Sequence, residues 1–289
     1  MLMWMRGLLR GVVVAAIVLA ASPDALLAQT SAPPPDPNRV TGGALTFTGG
    51  LDVPSVYVFR GIVQETAPSF TLTPYGDLGV TLVSGDAGAR RLGVNIGLWN
   101  SLQTGSSGTK GPSARLHYAE NFYSTISVGL SARTMVEATF TAYTSPNNMF
   151  NTIREASVKV SHADRLRPYA LVAFEISDKG QADNGAKKGS YGEVGMAPSI
   201  ALGSRLRLAV PTRLGVSLKN YYELAGTDRR FGFFQVGGLL TMPLSVPARF
   251  GSWNVHGGAD LYALGDTTKA LNAGNGTKVV GSVGIGVRY

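Results

Sequence analysis

Polar and apolar residues alternate with a period of two along most of the chain. The last segment shows it best: Thr277, Val279, Gly281, Val283, Ile285, Val287 and Tyr289 fall on one side, and Lys278, Val280, Ser282, Gly284, Gly286 and Arg288 on the other. Successive side chains of a strand point to opposite faces, so one face is apolar and the other small or charged. The same test marks twelve strands, near 44–62, 68–83, 89–101, 114–128, 133–144, 151–162, 167–177, 189–201, 206–221, 232–244, 251–264 and 277–289. Each is longer than the roughly 5–6 residues usual in soluble strands and meets the roughly 9–11 that a tilted membrane-spanning strand needs.

The connections between these strands sort by length. Segments 84–88, 129–132, 163–166, 202–205 and 245–250 are short, whereas 102–113, 145–150, 178–188, 222–231 and 265–276 are mostly longer. Short turns alternating with longer loops, with an even strand number, predict an all-β, antiparallel, up-and-down transmembrane β-barrel over residues 44–289. The first long-side connection, 63–67, breaks the pattern by being short.

The face that meets lipid follows from energy. A cationic side chain on the lipid face at mid-membrane costs about 2–4 kcal/mol, so the apolar face points outward. Its aromatics are Phe47, Phe70, Phe122, Phe140, Phe174, Tyr222, Phe234, Trp253 and Tyr289. Glu120 falls on that face beside Tyr118 and Phe122, and a bulge is expected there instead of a lipid-facing carboxylate.

Composition agrees. The 289 residues include 37 glycines and no cysteine, and only 15% are charged, against roughly 7% glycine and 25% charge in an average protein. With no cysteine, disulfides and thiolate chemistry are excluded. Residues 1–28 have a basic head (Arg6, Arg10), an apolar run of eleven residues (11–21) and a small residue at Ala28, the pattern of a cleaved secretory signal peptide. The run would rise about 16 Å as a helix, too short for a hydrocarbon core of about 30 Å. Residues 29–43 are proline-rich and read as a periplasmic lead-in.

Alternation points Asp52, Asp77, Glu137, Glu155, Glu175, Glu193, Glu223 and Asp260 into the lumen with Arg60, Arg91, Arg115, Lys159, Arg207, Arg213, Lys219, Lys278 and Arg288. His117 and His256 also point inward, and His162 lies near a turn. Eight acids against nine bases make a nearly balanced lumen. Of the formal net charge of +8, Arg6, Arg10 and Asp24 of the expected signal peptide carry +1; the remaining +7 is then carried by loops and strand ends such as Lys110, Lys179, Lys187, Lys188, Arg229 and Arg230. Those loops are expected to be solvated, with lipopolysaccharide phosphates as a further candidate contact. Secretion and dispersed charge speak against nucleic acid. Inward Gly93, Gly97, Ser127, Thr139, Gly195, Ser199, Gly215, Ser217 and Gly237 are small, which favours a narrow wet bore. Twelve strands lie between the self-filled and open regimes, so a plugged lumen stays open as an alternative.

No enzyme, cofactor or metal site is expected. His256 and Asp260 share a strand face but lie about 13 Å apart at strand spacing. No histidine stands two residues before a serine, as in outer-membrane phospholipase barrels.

Ser55-Val56-Tyr57-Val58-Phe59-Arg60-Gly61 resembles the S-x-Y-V-F-R-G first-strand motif of a family of uncharacterised bacterial outer-membrane barrels. Asn121-Phe122-Tyr123 is similar to that family's acidic-aromatic-aromatic strand, with Asn in the acidic place. The resemblance implies location and fold, and no activity. An unbroken first strand would face Arg60 inward with Asp52, whereas a bulge at Pro54 would move it to the rim. Ile285, Val287 and Tyr289 resemble the C-terminal signal read by barrel-assembly machinery, implying that machinery as a transient partner. The sequence therefore favours a narrow porin-like channel, with a non-conducting structural or adhesion barrel as the alternative.

Overall fold

A computed structural model describes residues 45–65, 68–84, 91–105, 113–176 and 187–289. The segments expected as signal peptide and lead-in lie outside the described residues. Twelve antiparallel strands form the wall: β1 (Leu45–Pro54), β2 (Thr71–Val83), β3 (Arg91–Gln103), β4 (His117–Gly129), β5 (Thr134–Thr144), β6 (Ile153–His162), β7 (Tyr169–Glu175), β8 (Ser190–Met196, continued by Ser199–Leu202), β9 (Leu206–Ala209, continued by Thr212–Lys219), β10 (Phe231–Pro243), β11 (Ser252–Leu264) and β12 (Thr277–Arg288). Each pairs with its chain neighbours, and β12 pairs with β1 from Thr48↔Arg288 to Pro54↔Ser282, which closes the barrel. The last residue stays in the ladder: Phe47 and Tyr289 exchange both backbone N–H···O bonds at 2.8 Å.

β8 and β9 are each interrupted at one level of the wall, by Pro198 and Pro211. Proline offers no N–H to a ladder. The gap is bridged by carbonyls, with the Val210 amide donating to Pro198 O and Gly237 to Pro211 O.

The outside is apolar, as the alternation requires. Phe47, Phe70, Phe122, Phe140, Phe174 and Phe234 are exposed with Leu78, Ile96, Leu98, Val158 and Leu261. In water such a continuous surface would aggregate, whereas in a bilayer it is the favourable face. Glu120 is half-buried, flanked across the strands by Asn100 and Thr144. The expected bulge exists two residues away, at Tyr118, where the β3–β4 register shifts between Ser101↔Ala119 and Leu102↔His117. It turns Tyr118 inward and leaves Glu120 on the outer side.

The main departure from the sequence reading is in residues 55–65. The first strand does not run to residue 62. It leaves the wall at Pro54, and the chain enters the lumen as a two-stranded hairpin, Val58–Phe59 against Ile62–Val63. Arg60 and Gly61 form its tip with φ of 46° and 82°, the positive pair of a type I′ turn. Gly61 is required there twice over, because its conformation is left-handed and a Cβ would press on Phe233 at 3.0 Å. With β1 ending at Pro54, the first connection spans 55–70 and is no longer the short exception.

The hairpin divides the lumen into two packed clusters. Val56 and Val58 face Tyr191, Tyr221, Tyr222, Phe233, Tyr262 and Val280. Tyr57 and Phe59 face Trp99, Tyr118, Tyr143 and Ile153. Both hairpin faces are therefore buried, each large side chain contributing about 1.5–3 kcal/mol. Tyr222, expected on the lipid face, is fully buried here, because it belongs to a second inward hairpin, Glu223–Leu224 against Thr227–Asp228. The helix α1 (Asp266–Leu271) closes the same end, with Thr267, Thr268 and Asn272 buried.

Candidate functional site

The chemistry of the lumen centres on Arg60. The type I′ turn drives its side chain into the barrel wall, where it is 2% exposed. Its guanidinium binds Glu155 of β6 through both ends, Nη1 to Oε2 at 2.6 Å and Nη2 to Oε1 at 2.9 Å. Nη1 also donates to the Tyr221 hydroxyl at 2.9 Å, and the charge lies 4.0 Å over the Tyr191 ring. The Tyr222 hydroxyl donates to the Arg60 carbonyl, and Tyr143 donates to Glu155. Asn272, just after α1, clamps the hairpin from above: its amide donates to Gly61 O at 2.7 Å and its carbonyl accepts from Val63 N at 2.8 Å.

Electrostatics explains why an arginine stands here. Glu155 and Glu175 are directly opposed on β6 and β7, and both are buried. Like charges facing across a ladder repel, and Arg60 neutralises one of them. Burial opposes the Arg60 charge, but Glu155 and the surrounding phenols outweigh it and hold the guanidinium's pKa well above its ordinary value. Burial likewise pushes the Tyr221 phenol up, which keeps it a hydrogen-bond donor.

The other inward residues are also engaged. Asp52 and His256 meet across Gly284, three residues on one rung of β1, β12 and β11. Asp77 accepts from Asn95 at 2.7 Å. Glu137 faces Lys159 at 3.3 Å, Glu175 accepts from the Gly189 amide, and Glu193 accepts from both Tyr169 and Tyr191. Arg213 binds Gln235 and Tyr262, and Gln235 reaches Asp260. His117, expected inward, is not in the lumen: the bulge at Tyr118 sets it opposite Leu102 on the outer face, where it lies at the rim between Ser113 and Asn100. Glu223 is buried, but in the second hairpin and not in a wall strand, where it holds Lys187 at 2.8 Å.

Further expectations about the lumen need correction. Arg115 lies in an exposed turn before β4, and Lys219 is exposed at the end of β9. Alternation assigned each a side of the strand without its height, and both lie where the wall has ended. Arg207 is likewise exposed. The lumen is consequently not balanced. Among the described residues all eight inward acids are buried, against the buried bases Arg60, Arg213 and His256 and the half-buried Lys159 beside Glu137. Several of the small inward residues are covered instead of opening space. Tyrosine rings lie over the inward glycines, Tyr123 over Gly97 and Tyr169 over Gly195, with Phe233 and Tyr191 over Gly215.

Sequence reasoning did not single out Tyr191, Tyr221 or Asn272, and it placed Tyr222 on the lipid face. The adjacent Tyr221–Tyr222 pair and the Arg60-Gly61 turn doublet were the available signals. Among the described residues no group of three His, Asp or Glu is placed to hold a metal ion. Of the basic loop residues, Lys187 is paired with Glu223, and Arg229 lies 3.9 Å from Asp266. Lys110 and Lys179 lie outside the described residues.

No protein-family model matches the sequence, and no curated protein matches it. Among solved structures the chain is similar to the NanC porin, at 12% identity and TM-score 0.40 over 84% of this chain and 99% of that one. It is also similar to the translocator domain of the autotransporter NalP from Neisseria meningitidis, at 11% identity and TM-score 0.43 over 86% and 90%. A third is the beta domain of the Bordetella autotransporter Brka, at 14% identity and TM-score 0.42 over 86% and 99%.

Proposed function

We propose that the protein is an outer-membrane barrel closed at rest by its own first loop, and not a permanently open pore. The observation that carries this reading is the Arg60-tipped hairpin, packed on both faces and latched to Glu155. The long connections then face the cell exterior and the short turns the periplasm. The narrow-channel expectation becomes the weaker alternative, because Arg60, Arg213, Glu155, Glu193 and Asp260 are engaged in hydrogen bonds within the lumen. Planar-bilayer recording separates the two. The purified wild-type barrel is expected to give no conductance steps above background, and regular steps from it would reject the closed reading.

The C-terminal residues belong to the same proposal. The outward, exposed Tyr289 and the outward Val287 and Ile285 form a strand end whose backbone is tied to β1. Barrel-assembly machinery reading this end is the expected partner. Deletion of Tyr289 should cut the amount of folded protein in the outer membrane several-fold, measured by heat-modifiable gel migration. Unchanged yield would reject that role.

A further inference from the structure

The wall has a notch beside the plug. β1 leaves it at Pro54, so the β1–β12 pairing stops at Pro54↔Ser282 and the β1–β2 pairing at Asp52↔Thr73. One further tie exists, between Ser55 and Gly281. Between β2 and β12 lies a cavity of about 390 Å³, lined by residues from both faces of the wall. Val53, Phe70 and Val283 belong to the lipid side, whereas Thr71 and Ser282 belong to the lumen side.

What stands behind the notch is unusual for a finished core. Thr71 is buried, yet its hydroxyl has no hydrogen-bond partner. Its cross-strand neighbour Gln103 is fully buried with both amide atoms unpartnered. The Ser101 hydroxyl and the Trp99 indole N–H, on the same face of β3, are in the same condition. Buried polar groups are nearly always satisfied, and orphans are costly. Thr71 lines the cavity, Gln103 and Ser101 adjoin it and Trp99 lies further along the same face; orphaned donors and acceptors with no charge among them describe a site for an uncharged hydrogen-bonding group.

We infer that this notch is a lateral portal, through which an uncharged amphiphile in the outer leaflet inserts its polar head toward Thr71, Gln103, Ser101 and Trp99 while its tail stays in the membrane. The closed-barrel reading enters only in excluding access along the axis. A carboxylate head is disfavoured, because the lumen already holds eight buried acids.

The probe is a monoacylglycerol brominated on its chain, added to proteoliposomes and read by quenching of Trp99 in a Trp253→Phe background. Saturable quenching beyond that given by equally brominated phosphatidylcholine is expected, with a brominated fatty acid no better than phosphatidylcholine. Thr71→Val with Gln103→Leu should weaken it about tenfold, the loss of one or two hydrogen bonds. Gly281→Leu should slow it, since a Cβ there meets only Gly258 O at 3.9 Å and the longer side chain can fill the notch. Because Gly281 faces the membrane, this variant remains a test if the lumen pair fails to fold. No excess quenching means that water alone fills the site and overturns the inference, as does binding unchanged in Thr71→Val/Gln103→Leu. Unslowed binding in Gly281→Leu overturns the lateral route while leaving the closed-barrel reading to its own conductance test.

Discussion

Glu155→Ala is expected to unseat the plug and convert a silent barrel into a conducting one. The substitution leaves the Arg60 guanidinium, 2% exposed, without its bidentate partner. Breaking a buried ion pair from one side costs about 3–5 kcal/mol, whereas replacing both partners by apolar groups is often neutral. Seating of the hairpin rests on that pair, on Asn272 and on the two aromatic clusters. A buried cation that has lost its bidentate carboxylate is relieved most simply by withdrawal of the hairpin into water. Single-channel recording should show steps in Glu155→Ala that are absent in wild type, and Arg60→Met/Glu155→Leu should be silent again. A silent Glu155→Ala barrel that unfolds at the wild-type urea concentration would mean that the pair does not hold the plug. The double variant separates loss of the latch from general damage, since it removes the buried charge together with its carboxylate.

The wall was legible in the sequence and the plug was not, for one physical reason. Period-two alternation reports that a strand has two different sides. It does not report whether a strand lies in the wall or inside it. Residues 56–59 alternate valine with aromatics, which fits a wall strand with lipid on one side and equally fits a hairpin between two aromatic clusters. The discriminating signals were local. Pro54 can end a ladder, Arg60-Gly61 can turn, and the connection at 63–67 was too short for its place in the alternation of loops. Taken together they require the strand to stop early.

The lumen's content was hidden for a second reason. Alternation gives the side of a residue, not its height, so it counted Arg115, Arg207 and Lys219 at strand ends together with Glu137 and Glu155 at mid-wall. The structure separates them, with acids inside and most bases at the ends. Long basic side chains reach water from a rim position at little cost, whereas a short carboxylate at mid-wall must be given donors. Those donors are the tyrosines. Ten tyrosines, from Tyr57 to Tyr262, lie in the described interior as half-buried or buried rings, while the outward rings are chiefly phenylalanine. That division between a hydroxylated ring inside and a plain one outside was present in the sequence and is a better guide to face than hydropathy alone.

The second large effect is expected at Gly284. Asp52 and His256 belong to strands that are not adjacent, and β12 runs between them. They can meet only because the intervening residue on that rung has no side chain, and a Cβ placed there would collide with Asp52 Oδ1 and His256 Nε2. Gly284→Val should therefore separate the pair and leave a buried carboxylate short of a partner. The orphaned group costs about 1–3 kcal/mol, and the forced packing adds a similar amount. Gly238→Ala is the contrast. A Cβ at Gly238 meets nothing within 4 Å, and alanine there restricts the unfolded chain, so its effect should be near zero or slightly stabilising. Urea unfolding of the two variants in the same lipid should show a clearly lowered midpoint for Gly284→Val and an unmoved one for Gly238→Ala. Equal shifts would mean that strand glycines matter here for backbone freedom in general, and not because Gly284 is the gap through which two distant strands are joined.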